Sequence, residues 1–401
     1  MVPQPFFSAP DRRVKIGVSG TGFIARGLLV ALANSDEFEI GRVLTRRPIK
    51  DVTTVDGDLL TLSISELVET CDMVVECSGD VWQGAEVVEA AMQAGRPVVT
   101  MGTEFHVTVG SYFVDRGYLT EAEGDQPGTL AAHVEDVVAM GFKPLVYGNI
   151  KGYLNHYPTQ DEMEYWSKKN GISLKQTTSF TDGTKLQMEQ VLVANHFGAE
   201  LVCRGMAGPQ TMPLEVAGAE LGRLAKARGA ALSDYVLNRA LPAGVFVVAE
   251  HRFERPEVLR YLKLGDGPYF TLLRPFHLCH LEMIKTLRRV VAGKAPLMNN
   301  STMPRVVVAS VAKQPLKAGQ VLEQALGGYQ VRGEAVMAAE VPDAVPLGLL
   351  DGARILRAVE KGQTLNWADV ETREGLALNA ALALRDRMAA GVPVLDSLDL
   401  P

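Results

Sequence analysis

The chain has few cysteines and no long apolar run, and each absence excludes a class of protein. Its 401 residues include 4 cysteines without a CxxC spacing, so a disulfide framework is excluded and reduced thiols are expected. No uninterrupted apolar stretch reaches the length that spans a bilayer. The start MVPQPFFSAPDRR also lacks the cationic and apolar regions of a secretory signal. We therefore expect a cytoplasmic protein with no membrane partner.

Basic residues are also fewer than acidic ones. Lys and Arg number 40 against 47 Asp and Glu, which gives a formal net charge of -7. A chain of this charge, with its basic residues scattered, has no general attraction for phosphate backbones, so no nucleic-acid partner is expected. Hydrophobic residues at 47% and charged residues at 22% are the usual globular mix, and the length predicts two or three packed units.

Four segments follow from the alternation of strand-like and helix-like patches. Residues 13–148 alternate β-branched runs such as VKIGVSG with helical runs such as GFIARGLLVALANS, which predicts an α/β, doubly wound Rossmann sheet. Residues 149–303 mix both patterns, as in GVFVVAEHRF, and indicate an α+β domain for substrate binding and dimerisation. Residues 304–372 predict a small β-rich module. Residues 373–401 predict a closing helix, ending near Gly391–Val392–Pro393, and a tail.

A glycine-rich turn follows the first strand. Gly20, Gly22 and Ala25 have the G-x-G-x-x-A spacing between an apolar strand and an amphipathic helix. The first glycine permits a tight turn, the second lets the backbone approach a pyrophosphate, and the helix N-terminus attracts its charge. The sequence therefore predicts a dinucleotide cofactor here. The other residues of the predicted contact are Thr21, Phe23 and Ile24.

The second strand ends in Arg46 and Arg47, where NAD-binding domains carry an Asp or Glu that accepts hydrogen bonds from the ribose. A guanidinium pairs with a ribose 2′-phosphate, which favours NADP(H) over NAD(H); solvated surface arginines are the alternative. Loops after the next strands should border the nicotinamide, because ligands lie beyond the carboxyl ends of strands. The residues concerned are Cys77, Ser78 and Gly79, then Thr103 and Glu104, the last either an acid or base or a structural carboxylate.

A second polar cluster, FTDGTK, precedes a helix. A lysine at a helix start is electrostatically disfavoured, which indicates that Lys185 has a function, such as passing a proton to a carbonyl oxygen. Asp182 would orient it or simply cap the helix. The turn-forming segment GDQPG is expected to be a surface loop. No motif has metal-ligand spacing, and the need for a divalent ion stays open. Residues proposed to hold an anionic substrate are Asp125, Gln126, Lys151, Thr184, Arg274 and His277.

Together these motifs resemble the deoxyxylulose-phosphate reductoisomerase-like oxidoreductases, a family similar to homoserine dehydrogenase. The resemblance covers nearly the whole chain and rests on the glycine turn, GDQPG, FTDGTK, RPFHL and the SAF-like (antifreeze-like) stretches VASVAKQPLKAGQVL and VPLGLLDGARIL. It implies NADPH-dependent reduction of a small polyhydroxy carbonyl compound, such as a phosphorylated ketose, in some members with skeletal rearrangement. By analogy with homoserine dehydrogenase, Asp182 and Lys185 would act on the substrate oxygen, although Thr103–Glu104 stands where that enzyme has a lysine.

Three functional hypotheses follow. The first is an NADPH-dependent reductase or reductoisomerase with a small anionic substrate, expected to form a homodimer or tetramer. The second is an amino-acid or hydroxy-acid dehydrogenase. The third is a non-catalytic NAD(P)-binding sensor or SAF-mediated assembly protein. The glycine turn alone does not choose among them, because GTGFIA is also similar to the turn of the glucose-fructose oxidoreductase group.

Overall fold

The computed structural model describes residues 12–251 and 256–391. The chain start, the end of the predicted strand GVFVVAEHRF and the predicted helix stop at Val392–Pro393 lie outside the described residues. Contacts divide the chain into two compact units. The first unit holds the residues up to Gly128, Leu278–Met303 and the residues from Glu374, and the second holds Thr129–His277 and Pro304–Arg373.

The strands, in chain order, are β1 (Val14–Ser19), β2 (Phe38–Leu44), β3 (Leu60–Thr61), β4 (Met73–Glu76), β5 (Val98–Thr100), β6 (Leu119–Glu121), β7 (Phe142–Lys151), β8 (Leu232–Leu237), β9 (Val245–His251), β10 (Phe270–Arg274), β11 (Val306–Ala312), β12 (Val321–Leu322), β13 (Val331–Met337), β14 (Ala353–Ile355) and β15 (Val370–Glu371). The α-helices are α1 (Phe23–Ala33), α2 (Ile64–Glu69), α3 (Val81–Gln93), α4 (Thr103–Phe105), α5 (Ser111–Phe113), α6 (Gln126–Ala139), α7 (Gln160–Asn170), α8 (Leu174–Thr181), α9 (Thr184–Phe197), α10 (Leu214–Arg228), α11 (Pro256–Tyr261), α12 (Cys279–Val291) and α13 (Leu376–Ala389). A π-helical turn, His106–Gly110, joins α4 to α5.

The first unit is built on a six-stranded sheet in the order β3-β2-β1-β4-β5-β6. All neighbouring strands run parallel. Every residue of β4 and β5 is buried, as expected of short apolar strands that are covered on both faces. This strand order is that of the Rossmann fold, so the predicted α/β class and Rossmann sheet are confirmed.

Helices α1 and α12 pack together over this sheet. Their apolar side chains, including Leu28, Leu32, Met283 and Leu287, share one buried core with the strands. Gly27 makes the close approach possible, because a Cβ at this position would lie 2.4 Å from the ring of His280. Helix α3 packs against α2 and α13.

The second unit contains a mixed sheet in the order β10-β9-β7-β8. Strand β7 runs parallel to β8 and antiparallel to β9, and β9 runs antiparallel to β10. Helix α10 covers this sheet, with Leu214 and Leu221 in the same core as Phe246. Gly148 leaves room for the Phe246 ring, since a Cβ on the glycine would lie 2.2 Å from Phe246 Cζ. Helix α9 is buried from Leu186 to Asn195 and packs against β7, β8, β11 and β13.

The later part of the second unit is rich in short strands. Strands β11 and β13 form an antiparallel pair in which Ser310 lies opposite Gly333. Strands β12, β14 and β15 form a small antiparallel sheet in the order β12-β14-β15. The prediction of a small β-rich module after Pro304 is therefore confirmed.

The compact units do not follow the four segments expected from the sequence. Leu278–Met303, which carries α12, groups with the first unit, as does α13. The first unit is therefore discontinuous in sequence, and the four segment boundaries stay predictions. None of the described helices is both long enough and apolar enough to cross a membrane.

Candidate functional site

The glycine-rich turn lies at the carboxyl end of β1. Gly20 has φ +116°, and a Cβ there would lie 3.0 Å from the Cys77 carbonyl oxygen, so only glycine fits without strain. Gly22 is the N-cap of α1, and apart from its chain neighbours no atom of the described residues lies within 4 Å of the position that its Cβ would take. The backbone is therefore open to a ligand above Gly22 and closed by protein beneath Gly20.

The first turn of α1 is suited to an anion. It contains no acidic side chain, and no side chain caps its N–H groups, which leaves the positive end of the helix dipole for a ligand. Ala25 is fully buried, whereas Phe23 is 58% exposed and Ile24 is half-buried. This arrangement fits the pyrophosphate of a dinucleotide.

Arg46 and Arg47 follow the end of β2. Arg47 contacts the glycine-rich turn, and Arg46 contacts the start of α3. Arg47 Nη2 donates to Thr21 Oγ1 at 2.8 Å. Arg46 Nη1 lies 2.6 Å from Asp80 Oδ2, and Asp80 also caps α3 by accepting from Gln83 N. The two guanidinium groups are thus exposed but held by specific partners, which argues against freely solvated arginines.

The loop after β4 contains a buried carboxyl group. Glu76 is 3% exposed, and its Oε1 accepts from Ser78 N at 2.8 Å and from Ser78 Oγ at 2.5 Å. Its Oε2 has no hydrogen-bond partner among the described residues. Burial raises the pKa of Glu76 to about 7. Burial also raises the pKa of the Cys77 thiol, so this cysteine is an unreactive neighbour of the turn.

The loops after β4, β5 and β6 converge. A Cβ on Gly79 would lie 3.6 Å from Glu104 Oε1. Thr103 Oγ1 donates to Asp125 Oδ2 at 2.8 Å. The carboxyl edge of the sheet therefore gathers predicted cofactor residues together with one predicted substrate residue.

The prediction that GDQPG forms a surface loop is wrong. Asp125 is half-buried, and the other four residues of this segment are buried, with Gln126 beginning α6. Its glycines serve close backbone packing, because a Cβ would lie 1.9 Å from the Cys279 carbonyl oxygen at Gly124 and 1.9 Å from the Ala122 carbonyl oxygen at Gly128.

Two charge networks at this edge were missed from the sequence. Glu121 Oε2 accepts from Thr100 Oγ1 at 2.6 Å and lies 3.3 Å from His106 Nε2, with both titratable side chains fully buried. Burial raises the pKa of Glu121. Lys285 Nζ on α12 lies 2.7 Å from Glu123 Oε1 and also contacts Glu282. Each network joins residues far apart in sequence, so no local motif marked them.

In the second unit, Asp182 forms a buried ion pair that the sequence did not reveal. Its Oδ2 lies 2.5 Å from Lys313 Nζ, with 0% and 4% of the two side chains exposed. Its Oδ1 accepts from Thr184 N at 2.9 Å, and Lys313 Nζ also donates to the Gly328 carbonyl at 2.7 Å. Burial raises the pKa of Asp182 and lowers that of Lys313. Asp182 therefore holds the start of α9 and is shielded from solvent.

Thr184 is also fully buried, and its Oγ1 accepts from Gly333 N at 3.0 Å. This contact ties α9 to β13 and counts against the predicted contact between the threonine hydroxyl and substrate. Lys185, the next residue, is half-buried.

A buried glutamate links helix α9 to the end of β7. Glu189 Oε2 accepts from Asn149 Nδ2 at 2.9 Å and from Lys151 Nζ at 3.1 Å. Glu189 lies one helical turn after Lys185, on the same face of α9. The predicted residue Lys151 is thus held by this carboxylate, and the i, i+4 spacing from Lys185 was a signal that could have drawn attention to Glu189.

Arg274 lies at the same end of the mixed sheet. It is opposite Val245 on β9, which is itself opposite Asn149 on β7, so two strand spacings, about 10 Å, separate the backbones of Arg274 and Asn149. The Arg274 guanidinium lies over the Phe276 ring, and His277 follows, half-buried. In the described parts of the chain, no three His, Cys, Asp or Glu side chains form a group that could hold a metal ion.

Two family models match parts of the chain. Residues 124–283 match the model described as "Oxidoreductase DRL, catalytic domain", and residues 305–371 match the SAF domain. The chain is therefore an oxidoreductase that carries a SAF domain, as the motifs predicted. The reductoisomerase-like part of the resemblance stays a prediction.

Solved structures with a similar fold include dehydrogenases. A probable dehydrogenase from Thermotoga maritima is 16% identical, with 71% of this chain and 91% of that chain covered and a TM-score of 0.42. A homoserine dehydrogenase from Thiobacillus denitrificans is 13% identical, with 91% and 99% covered and a TM-score of 0.46. UDP-N-acetylglucosamine 3-dehydrogenase GnnA from Acidithiobacillus ferrooxidans is 12% identical, with 72% and 92% covered and a TM-score of 0.42. No curated protein sequence matches the chain. Likenesses at this level leave the substrate and cofactor open.

Burial of Glu76 predicts a stability that depends on pH. Its folded-state pKa, about 7, lies above the ordinary value of 4.5, so its stabilising contribution is present at low pH and is lost as the pH rises from 4.5 to 7. Relative to Glu76→Gln, the wild type should lose about 3 kcal/mol of unfolding free energy over this range. Denaturant unfolding at several pH values measures it. Parallel pH profiles for the two proteins would contradict the prediction.

The ion pair predicts an asymmetric response to its removal. Lys313→Met leaves a buried carboxylate without its partner and should lower the free energy of unfolding by about 3–5 kcal/mol. Adding Asp182→Asn removes the buried charge and should restore more than half of this loss. Urea unfolding of the single and double variants measures both effects. Lys175→Met is the control, because the exposed Lys175–Asp351 pair should contribute at most about 1 kcal/mol. A single variant as stable as this control would refute the prediction.

Proposed function

We propose that this oxidoreductase uses a nicotinamide dinucleotide, preferably NADP(H), to reduce the carbonyl group of a small anionic polyhydroxy compound. The observation that carries the proposal is the turn from β1 to α1. Only glycine fits at position 20 without strain, and the open space beside Gly22 lets a phosphate approach the backbone. Because the first turn of α1 has no acidic side chain, it supports binding of the pyrophosphate.

The arginines after β2 support the preference for NADP(H). Arg47 is oriented by Thr21 within the glycine turn, and Arg46 is oriented by Asp80. Guanidinium groups held in this way match the charge and planar geometry of a ribose 2′-phosphate. The carboxylate that pairs with Arg46 comes from Asp80 at the start of α3, whereas Arg47 has a neutral partner, the Thr21 hydroxyl.

The carboxyl edge of the first sheet would hold the nicotinamide end. Cys77, Ser78 and Gly79, in the loop after β4, and Thr103 and Glu104, after β5, would border the nicotinamide. The cofactor would supply the hydride that reduces the carbonyl carbon. Thr103 donates a hydrogen bond to Asp125, so its side chain is held in one orientation before any ligand binds. Such preorganisation favours a fixed orientation of the reacting groups.

Lys185 would supply the proton. In its ammonium form, Lys185 donates a proton to the carbonyl oxygen as negative charge develops there, which yields an alcohol and a neutral lysine. Asp182 is a positioning residue, because its carboxylate holds Thr184 N at the start of the helix. Lys151, Arg274 and His277 would bind the anionic end of the substrate, and Glu189 orients Lys151.

The cofactor preference is tested by replacing both arginines. Arg46→Ser with Arg47→Ser should weaken NADPH binding at least tenfold, because two charge-assisted contacts to the 2′-phosphate are lost. Binding of NADH should change less than about threefold. Fluorescence titration with each cofactor measures the two dissociation constants. Arg13→Ser is the control for loss of a surface arginine, since Arg13 precedes β1 at the opposite end of the strands. An unchanged NADPH-to-NADH ratio would rule out the assignment.

The role of Lys185 is tested in turnover assays. Substrates are first sought among sugar phosphates, with 2-oxo and hydroxy acids as the alternative class, by NADPH consumption, and product NMR shows whether the carbon skeleton changes. Lys185→Met should then lower kcat by about 10²–10⁴-fold, because the proton donor is lost, while NADPH binding is retained. Lys175→Met controls for the removal of a positive charge from the same unit. A Lys185→Met enzyme with wild-type kcat would overturn the proposed role.

A further inference from the structure

A polar cleft lies in the second unit, within the SAF domain and beside the loop that joins α9 to α10. Its volume is about 610 Å³, within the range of small-molecule pockets. Neither the proposed cofactor residues nor the proposed substrate residues contribute to it. The polar side chains that line it are Arg204, Arg357, Gln363, Thr364, Asn366 and Asp369.

Arg204 is fixed in one orientation at this cleft. Its Nε donates to Glu334 Oε2, and its Nη2 donates to Thr364 Oγ1 at 2.8 Å. Glu334 is in turn held by Arg332, whose Nη2 donates to Oε1 at 2.8 Å. Nη1 of Arg204 is not used in these contacts, so its N–H groups can bind a ligand in the cleft. Because the guanidinium is already oriented, binding would cost little conformational entropy of this side chain.

Arg357 is fixed in the same way by a different carboxylate. Its Nε donates to Asp369 Oδ1 at 3.1 Å, and its Nη2 lies 2.8 Å from the same oxygen. The other oxygen, Oδ2, accepts from Asn366 N at 2.9 Å. Asp369 is 9% exposed, and each of its two oxygens accepts a hydrogen bond from a protein donor. The acidic group in the cleft is thus neutralised, and Arg357 retains unused N–H groups.

The neutral side chains add further donors. Gln363 Oε1 accepts from Glu360 N at 2.9 Å, which leaves its amide N–H groups for a ligand. Thr364 Oγ1 accepts from Arg204, which leaves its O–H to donate. Four side chains around one cleft therefore offer donors, and the side-chain oxygens of Gln363 and Thr364 each already accept a bond from the protein.

We propose that this cleft is a binding site for a small oxyanion, a carboxylate or a phosphate group. An excess of N–H and O–H donors with two guanidinium groups selects a ligand rich in acceptors and negatively charged. This inference does not depend on the proposed reaction, because it concerns only the residues of the cleft.

The test uses the full-length protein and two probes, inorganic phosphate and acetate, at constant ionic strength. Ligand-observed NMR relaxation, of ³¹P for phosphate and of the methyl protons for acetate, measures saturable binding. Gln363→Glu should abolish binding, because it replaces an amide donor with a carboxylate. The change is nearly isosteric at an exposed position, so the fold is retained. Arg357→Met should weaken binding at least tenfold, the loss of one charged hydrogen-bonding partner.

Arg354→Met is the matched control. Arg354 lies on β14 of the same domain, is equally exposed and pairs with Glu371, but it does not line the cleft. The proposal requires this variant to bind as the wild type does. Preference for phosphate or for acetate identifies the kind of oxyanion. If the wild type binds neither probe, or if Gln363→Glu binds as tightly as the wild type, the proposal is overturned.

Discussion

The buried pair of Asp182 and Lys313 is the constraint on which the second unit depends. Removing either charge from water costs several kcal/mol, so each can be buried only against the other. Because the two residues come from distant parts of the chain, the SAF domain must fold onto the helix that begins at Thr184. The hydrogen bond from Gly333 N to the Thr184 hydroxyl adds a second tie. The SAF domain is therefore part of the framework that places Lys185, rather than an appendage to an oxidoreductase.

In the first unit, the main structural requirement is different: several loops have to be held in place at one edge of the sheet. Parallel strands bring their carboxyl ends together, but the loops that follow them need separate anchors. Glu121 provides one, since its carboxylate meets Thr100, His106 and the Gly102 N–H. That network fixes both ends of the short loop that contains Thr103. The π-helical turn that begins at His106 is a local distortion of a kind often found at functional sites, and here it places the imidazole against Glu121.

Features carried by neighbouring residues could be predicted from the sequence, whereas those carried by distant residues could not. The alternation of strand-like and helix-like runs and the Gly20 turn are local signals, and they predicted the Rossmann sheet and its candidate phosphate site. The role of Lys313 could not be predicted from its neighbours in the sequence, because its ion-pair partner, Asp182, lies in another segment. The prediction of a surface loop for GDQPG was wrong because turn-forming residues indicate a backbone conformation and do not indicate whether the segment is exposed. Gly124 is glycine because the Cys279 backbone presses against it, a tertiary contact that only the structure reveals.

Two charged residues of the SAF domain, Arg332 and Glu334, stand between the cleft and the buried ion pair. Glu334 accepts from Arg204 at the cleft and from Arg332 behind it. The positive charge of Arg332 adds to burial in lowering the pKa of Lys313, so its effect reaches the ion pair that holds α9. A change at Glu334 would therefore disturb the cleft and the ion pair together. The hydrogen bond that the Gln363 side chain makes is with the Glu360 backbone, not with these charged groups, which is why a substitution there separates the chemistry of the cleft from that of the buried pair.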